Sequence, residues 1–214
     1  MPEALESRLD ALLRARKNPQ CLRLGIGGGS GSGKSTITAL IREQLLPLTT
    51  EVITLDRFFK PPDQLPKYYS TYLGSHHPDY NTPDSLLVDE MVAHCRQYPT
   101  AQVHLLDGHF SLHYPELRAL MDLRIFVATD LELMLERRTT RNLTAGYGGN
   151  HEHILAYNRE CVVPGYLRHI EPSRHFADLE IPNNQIDTTE RDTLIAVLCA
   201  KIRATLEPGP IPSR

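Results

Sequence analysis

Gly28-Gly29-Ser30-Gly31-Ser32-Gly33-Lys34-Ser35 is the stretch on which the reading of this chain turns. It satisfies G-x-x-x-x-G-K-[ST] in full, and each residue type in it has a physical reason. Glycines let the backbone turn tightly and bring its N–H groups against phosphate oxygens with no Cβ in the way. A helix starting at the end of the turn adds unpaired N–H groups and the positive end of its dipole. Lys34 brings a mobile positive charge for β- and γ-phosphates, and the Ser35 hydroxyl is placed to ligate magnesium. The expected phosphate contacts are Gly28, Gly29, Ser30, Gly31, Ser32, Gly33, Lys34, Ser35 and Thr36. The rival dinucleotide fingerprint G-x-G-x-x-G fits no window of this stretch.

The flanks supply the context the pattern needs. An apolar strand at 22–26 runs into the turn, and a helix over 35–46 leaves it with Ile37, Leu40, Ile41 and Leu45 on one face. Further strands are expected at 51–55, 103–107, 123–129 and 178–182. Helices are expected at 3–16, 85–97, 115–121, from Asp130 onward, at 151–169 and at 190–206. This alternation predicts an α/β fold of the P-loop NTP hydrolase type. Its parallel sheet has about five strands covered by helices on both faces, and ligands sit at the carboxyl ends of the strands. Residues 1–20 read as an N-terminal helix packed on the core, 21–207 as a single P-loop domain with a flexible glycine-bearing segment at about 142–153, and 208–214 as a frayed tail. Residues 56–84, with five prolines, read as an irregular loop serving as a lid or a substrate-binding wall.

Composition narrows the function classes. The chain has 214 residues, 41% hydrophobic and 23% charged, which suits a globular protein with one sizeable core. A formal charge of -3 argues against nucleic acid as partner. Cys21, Cys95, Cys161 and Cys199 are dispersed, as expected of reduced thiols. With no signal-peptide pattern after Met-Pro-Glu and no apolar run long enough to span a bilayer, a cytoplasmic protein without membrane contact is expected. The pairs His76-His77 and His151/His153 lack zinc-site spacing. Tyr68, Tyr69, Tyr72 and Tyr80 serve equally well as pocket walls or as pins for the Pro-rich loop.

Kinases, GTPases, transporter motors and helicases share such a loop, so the substrate has to come from other segments. Thr54-Leu55-Asp56-Arg57-Phe58-Phe59-Lys60-Pro61, Leu106-Asp107-Gly108, Met121 through Val127, Glu136-Arg137-Arg138 through Arg141, and Ile170 through Asp178 with Ile181-Pro182 occur in order. With the loop, they resemble the uridine kinase and phosphoribulokinase family over about three-quarters of the chain, including its nicotinamide riboside kinase branch. The resemblance implies ATP with Mg2+ and phosphoryl transfer to the hydroxyl of a small molecule, foremost the 5′-hydroxyl of uridine or cytidine. Another riboside, pantothenate or a sugar phosphate are rivals, and a nucleotide sensor without catalysis is a further one. Members often assemble as homo-oligomers, and nothing in the sequence singles out an interface.

Asp56 is implied as general base, and chemistry agrees, since an aspartate at a strand's carboxyl end can take the proton of an attacking hydroxyl. Asp107 ends the apolar run Val-His-Leu-Leu-Asp and is expected to hold the metal with Ser35, directly or through water. Arg137 and Arg141, four apart, share a helix face and with Arg138 are expected on the nucleotide phosphates. Arg141 and Lys34 join Asp56 as catalytic candidates, and Asp56, Phe59, Asn81, His109 and Arg141 are the expected acceptor contacts. Two departures from the family stand out. The lid Thr144-Ala145-Gly146-Tyr147-Gly148-Gly149-Asn150 lacks the extra arginines, which leaves His151 or Arg159 to complete it. Asn81 stands where the family carries a diol-binding aspartate, losing the charge-assisted part of that bond.

Overall fold

The computed structural model describes residues 2–97, 100–184 and 188–206, so the tail expected at 208–214 lies outside the described residues. In chain order the elements begin α1 (Pro2–Arg14), β1 (Leu22–Gly27), α2 (Lys34–Gln44), β2 (Thr50–Thr54), β3 (Lys67–Ser70), β4 (Ser75–Pro78) and α3 (Val88–Arg96). They continue β5 (Val103–Asp107), α4 (Pro115–Arg118), β6 (Leu123–Ala128), α5 (Leu131–Ala145), α6 (His151–Tyr157), α7 (Val163–Gly165), β7 (Leu179–Pro182) and α8 (Thr189–Leu206).

β1, β5 and β6 are near-continuous apolar runs, almost wholly buried, as strands covered on both faces must be. They form the middle of a five-stranded sheet of order β2-β5-β1-β6-β7, parallel throughout. One face packs Leu9 and Leu13 of α1, Ile37 and Ile41 of α2, and Ile195, Leu198 and Ile202 of α8. The other packs Met91 of α3, Leu117 of α4, Met134 of α5, and Phe110 and Phe126. Truncating any one of these to Ala removes about 2–5 kcal/mol of transfer and packing free energy. At the sheet's far side, Arg124 Nε and Nη2 donate to the two Asp178 oxygens, each at 2.8 Å, and lock β6 to the segment entering β7.

Three local expectations change. The stretch 56–84 is not irregular throughout: β3 and β4 pair as an antiparallel hairpin with Tyr68 opposite His77 and Tyr69 opposite His76, and Gly74 in the turn at φ 66°. The helix expected from residue 85 starts at Val88, because 85–87 pairs with 58–60: Lys60 N donates to Ser85 O and Leu87 N to Phe58 O. Beyond Tyr157 the expected helix to 169 proceeds as wide π-helical turns, Asn158–Val162 and Tyr166–Ile170, on either side of α7.

His104 is buried in β5 with its Nε2 3.5 Å from Glu51 Oε2. Burial pushes its pKa below the ordinary 6.5; Glu51 opposes this, while Arg23 and His94 reinforce it. The folded state therefore disfavours the proton, so the contribution of the neutral ring is complete above pH 6.5 and is lost as the pH falls below it. His169 is shifted the same way. Urea unfolding on both sides of pH 6.5 is expected to show stability falling on the acid side. His104→Leu is expected to shallow that fall, and an unchanged slope would count against His104 as its source.

Candidate active site

Register brings the chemistry together. Ile26 of β1 pairs with Asp107, and Asp107 pairs with Thr54, so the ends of β1, β5 and β2 are level. The Gly-rich turn, Asp107 and Asp56 all leave the sheet at one place. Gly31 and Gly33 carry φ of 92° and 89°, and a Cβ on Gly31 would lie 2.2 Å from the Met134 carbonyl oxygen. Gly33 caps α2, whose first N–H groups point into the turn. The Ser32 carbonyl accepts from Asn183 Nδ2 at 2.7 Å and Thr129 Oγ1 at 3.0 Å, so β6 and the segment after β7 both brace the cradle. Lys34 Nζ donates to Gly29 O at 2.9 Å.

A cleft of about 340 Å³ opens above this turn, lined by Ser30, Gly31 and Gly33 through Thr36, and by Asp56, Asp107, His109, Arg137 and Arg141. Burial lowers the Lys34 pKa, while Asp107 and Asp56 pull it back up. Burial likewise raises Asp107, against the influence of Lys34 and the hydroxyls of Thr38 and Ser35. Thr38 Oγ1 donates to Asp107 Oδ2 at 3.2 Å and so orients the carboxylate. One serine hydroxyl and one carboxylate beside a phosphate cradle is a donor set that fits Mg2+, which takes few protein ligands and completes its shell with water and phosphate. Among the described residues no group of three or more His, Cys, Asp or Glu forms a protein-only metal cage.

Asp56 leaves β2 in a single 3₁₀ turn, with 55% of its side chain open to the cleft. Burial by the surrounding walls would raise its pKa, but His109, Lys34 and Arg141 outweigh this and hold the carboxyl below its ordinary value. His109 Nδ1 lies 3.4 Å from Asp56 Oδ1 while its Nε2 faces Tyr80 O at 3.4 Å. Asp56 thus stays ionised and is fixed by the next strand's loop.

A second cavity, about 900 Å³, lies on the far side of Asp56. Ser30, Asp56, His109 and Arg141 line both cavities. Its walls are aromatic: Phe59, Tyr68, Tyr80, Tyr157 and Tyr166, with Phe59 edge-on to Tyr80 at 5.1 Å. Asn81 lines it too, but Asn81 Nδ2 donates to Tyr157 Oη at 2.9 Å and Cys161 Sγ at 3.3 Å. Cys161 Sγ in turn donates to Asp79 Oδ1 at 2.9 Å.

The arginines divide between the two spaces. Arg137 and Arg141 line the phosphate cleft, where Arg137 Nη1 donates to Asn183 O at 2.9 Å and Arg141 Nη2 to Ser30 Oγ at 3.3 Å. Arg138, expected with them, turns instead into the aromatic cavity, donates to Asn158 Oδ1 and lies over the Tyr157 ring at 5.3 Å. The lid expected at 142–153 is largely helical: α5 continues to Ala145 and α6 begins at His151, capped by Asn150 Oδ1, which accepts from His153 N. Tyr147, Gly148 and His153 face the aromatic cavity, and His151 and Arg159 line neither space. Sequence reasoning passed over Thr38, Thr129, Tyr157 and Asn183. Only Thr38 carried a local signal, one helical turn after Lys34.

Fold and site together define a P-loop kinase with two adjoining cavities that meet at Asp56. The sequence signature of the phosphoribulokinase/uridine kinase family matches residues 75–190. A uridine kinase of Lactobacillus johnsonii is 32% identical over 206 residues, covering 86% of this chain and 94% of that protein. A uridine kinase of Bacillus subtilis is 28% identical over 216 residues, 91% of this chain and 99% of the relative. A proposed fructose transport system kinase from Silicibacter sp. TM1040 shares the fold at TM-score 0.59 and 22% identity, over 80% of this chain and 98% of its own. The chain belongs to the phosphoribulokinase/uridine kinase family and is a small-molecule kinase. Membership implies a nucleotide substrate and usually a divalent metal. No described helix is long and apolar enough to cross a membrane.

Gly31→Ala tests the cradle. A side chain there meets both a left-handed backbone and the Met134 carbonyl. Nucleotide affinity measured by titration calorimetry is expected to fall about tenfold or more, the equivalent of roughly 1–3 kcal/mol of backbone strain. Unchanged affinity with an intact fold would show that the turn does not hold phosphate.

Proposed function

We propose that this chain transfers the γ-phosphoryl group of Mg·ATP to the 5′-hydroxyl of a nucleoside such as uridine or cytidine. The carrying observation is that Asp56 lines both the phosphate cleft and the aromatic cavity. A hydroxyl presented from the aromatic side meets an ionised carboxylate and, beyond it, the cradle. Asp56 accepts the hydroxyl proton as the oxygen attacks. Lys34, the turn amides and Arg141 offset charge on the transferred group, and Arg137 holds the nucleotide side. Ser35 and Asp107 would hold Mg2+, which when bound neutralises phosphate charge and orients the β- and γ-oxygens. Stacking of a flat base suits walls built from Phe59, Tyr68, Tyr80 and Tyr157. The relatives named uridine kinase favour a nucleoside acceptor.

One observation favours a different acceptor within the same chemistry. Both N–H bonds of the Asn81 amide have partners inside the protein, and Asp56 is the one carboxylate among the residues lining the cavity. A vicinal diol at Asn81 would therefore meet an amide carbonyl oxygen in place of a carboxylate. Mass-resolved assays of Mg·ATP with nucleosides, pantothenate and sugar phosphates decide between them. A gain of one phosphoryl group on uridine or cytidine supports the nucleoside reading, and turnover confined to another compound replaces it. Asp56→Asn is expected to lower kcat by roughly 10²–10⁴-fold with ATP binding retained. Equal turnover in the variant would remove Asp56 as the base, and ATP binding without any turnover in the unmodified protein would favour a sensor.

A further inference from the structure

Among the described residues, β3 and β4 form a hairpin of two four-residue strands with no third strand beside it. Such a ribbon is marginal alone and takes its position from whatever grips it. The grip comes from one segment. Glu160, in the π-helical turn after α6, spreads its carboxylate over the hairpin tip: Oε2 accepts from Ser70 Oγ at 2.8 Å, and Oε1 from Thr71 N at 3.1 Å and Tyr72 N at 3.3 Å. The Thr71 hydroxyl also donates to Oε1. These donors hold the Glu160 carboxyl below its ordinary pKa, led by Thr71 and Ser70. Further along, Tyr72 Oη donates to Glu152 at 3.3 Å, the Tyr72 ring stacks on His153, and Tyr68 lies edge-on to Tyr157 at 5.5 Å.

The other faces of the same pieces build the aromatic cavity. From the hairpin come Tyr68, His77 and Pro78; from the gripping segment come His153, Ile154 and Tyr157. Asn158, two residues before Glu160, accepts from Arg138 through its Oδ1 and donates from Nδ2 to Thr139 Oγ1 at 2.9 Å. One run of chain, 152–161, therefore touches the hairpin, the arginine helix α5 and Asn81. We propose that Glu160 is a positioning residue for the acceptor: it clamps the hairpin wall to the segment after the lid, so that wall and lid move as one body. This inference rests on the reading of the aromatic cavity as the acceptor site.

Two measurements on the full chain test it. Hydrogen exchange of the Thr71 and Tyr72 amides and of the hairpin ladder is expected to speed up in Glu160→Ala while the five-stranded sheet keeps its protection. Thr71→Val, an exposed change that leaves the carboxylate in place, is expected to give a smaller effect at the tip. In steady-state kinetics Glu160→Ala is expected to raise the acceptor KM by roughly ten- to a hundredfold with the ATP KM unchanged, as misplacement of a binding wall does. Glu160→Gln, which keeps one strong acceptor oxygen, is expected to recover part of the loss. Unaltered hairpin exchange, or ATP and acceptor KM rising together, would overturn the clamp. If no acceptor supports turnover in the unmodified protein, the proposed function fails, and the exchange measurements still decide the clamp.

Discussion

Level strand ends are the constraint on which the site depends. Parallel pairing matches Ile26 to Asp107 and Asp107 to Thr54, so the cradle and the carboxylates Asp107 and Asp56 leave the sheet side by side. A slip of one residue in β5 would turn Asp107 to the opposite face of the sheet. The apolar residues of β1, β5 and β6 are buried on both faces, and Thr129 and Asn183 tie the cradle to the neighbouring strands. Packing thereby holds the polar site in place.

Charge within that frame is graded. Burial lowers the Lys34 pKa, and Asp107 and Asp56 offset part of that shift. Asp107, which burial would protonate, is held back by Lys34 and two hydroxyls. Asp56 has the most favourable surroundings, because His109, Lys34 and Arg141 all favour its charged form. Neighbouring charges that offset one another's desolvation suit a site through which negative charge passes. His109 reaches Asp56 from the loop after β5, with its Nδ1 3.4 Å from the carboxylate, and so fixes it from a different strand.

Much of the frame was legible because its signals are contiguous. The cradle is one unbroken run, and the strands of the sheet are short apolar runs bounded by turns. Asp107 and Asp56 were recoverable because each closes or follows such a run. The hairpin at 67–78 was not, since prolines at 61, 62, 66, 78 and 83 mask two four-residue strands whose rings stand in adjacent pairs, Tyr68-Tyr69 and His76-His77, and show no alternating apolar face. Thr129 and Asn183 were invisible for a different reason: each acts on Ser32 across about a hundred residues or more, and no local spacing encodes that. Asn81 was visible as a departure, but its bonds to Tyr157 and Cys161 exist only in three dimensions. His109 was placed with the acceptor contacts, yet its contact with Asp56 needs the β2 and β5 ends to be level.

Helical geometry accounts for the division of the arginines. Each residue of α5 turns the direction of its side chain by about 100°. Relative to Arg137, Arg138 therefore points about 100° away and Arg141 about 40° away, between the two. Arg137 reaches the phosphate cleft, Arg138 the aromatic cavity, and Arg141 lines both. A single helix thus presents charge to both cavities at once, and Arg141 lies with Asp56 among the residues that line both. Spacing alone put Arg137 and Arg141 on one face, and both line the cleft above the Gly-rich turn, but it gave no indication that Arg138 would turn into a second cavity. That required knowing what packs on the neighbouring face, and the answer is the segment carrying Tyr157 and Asn158.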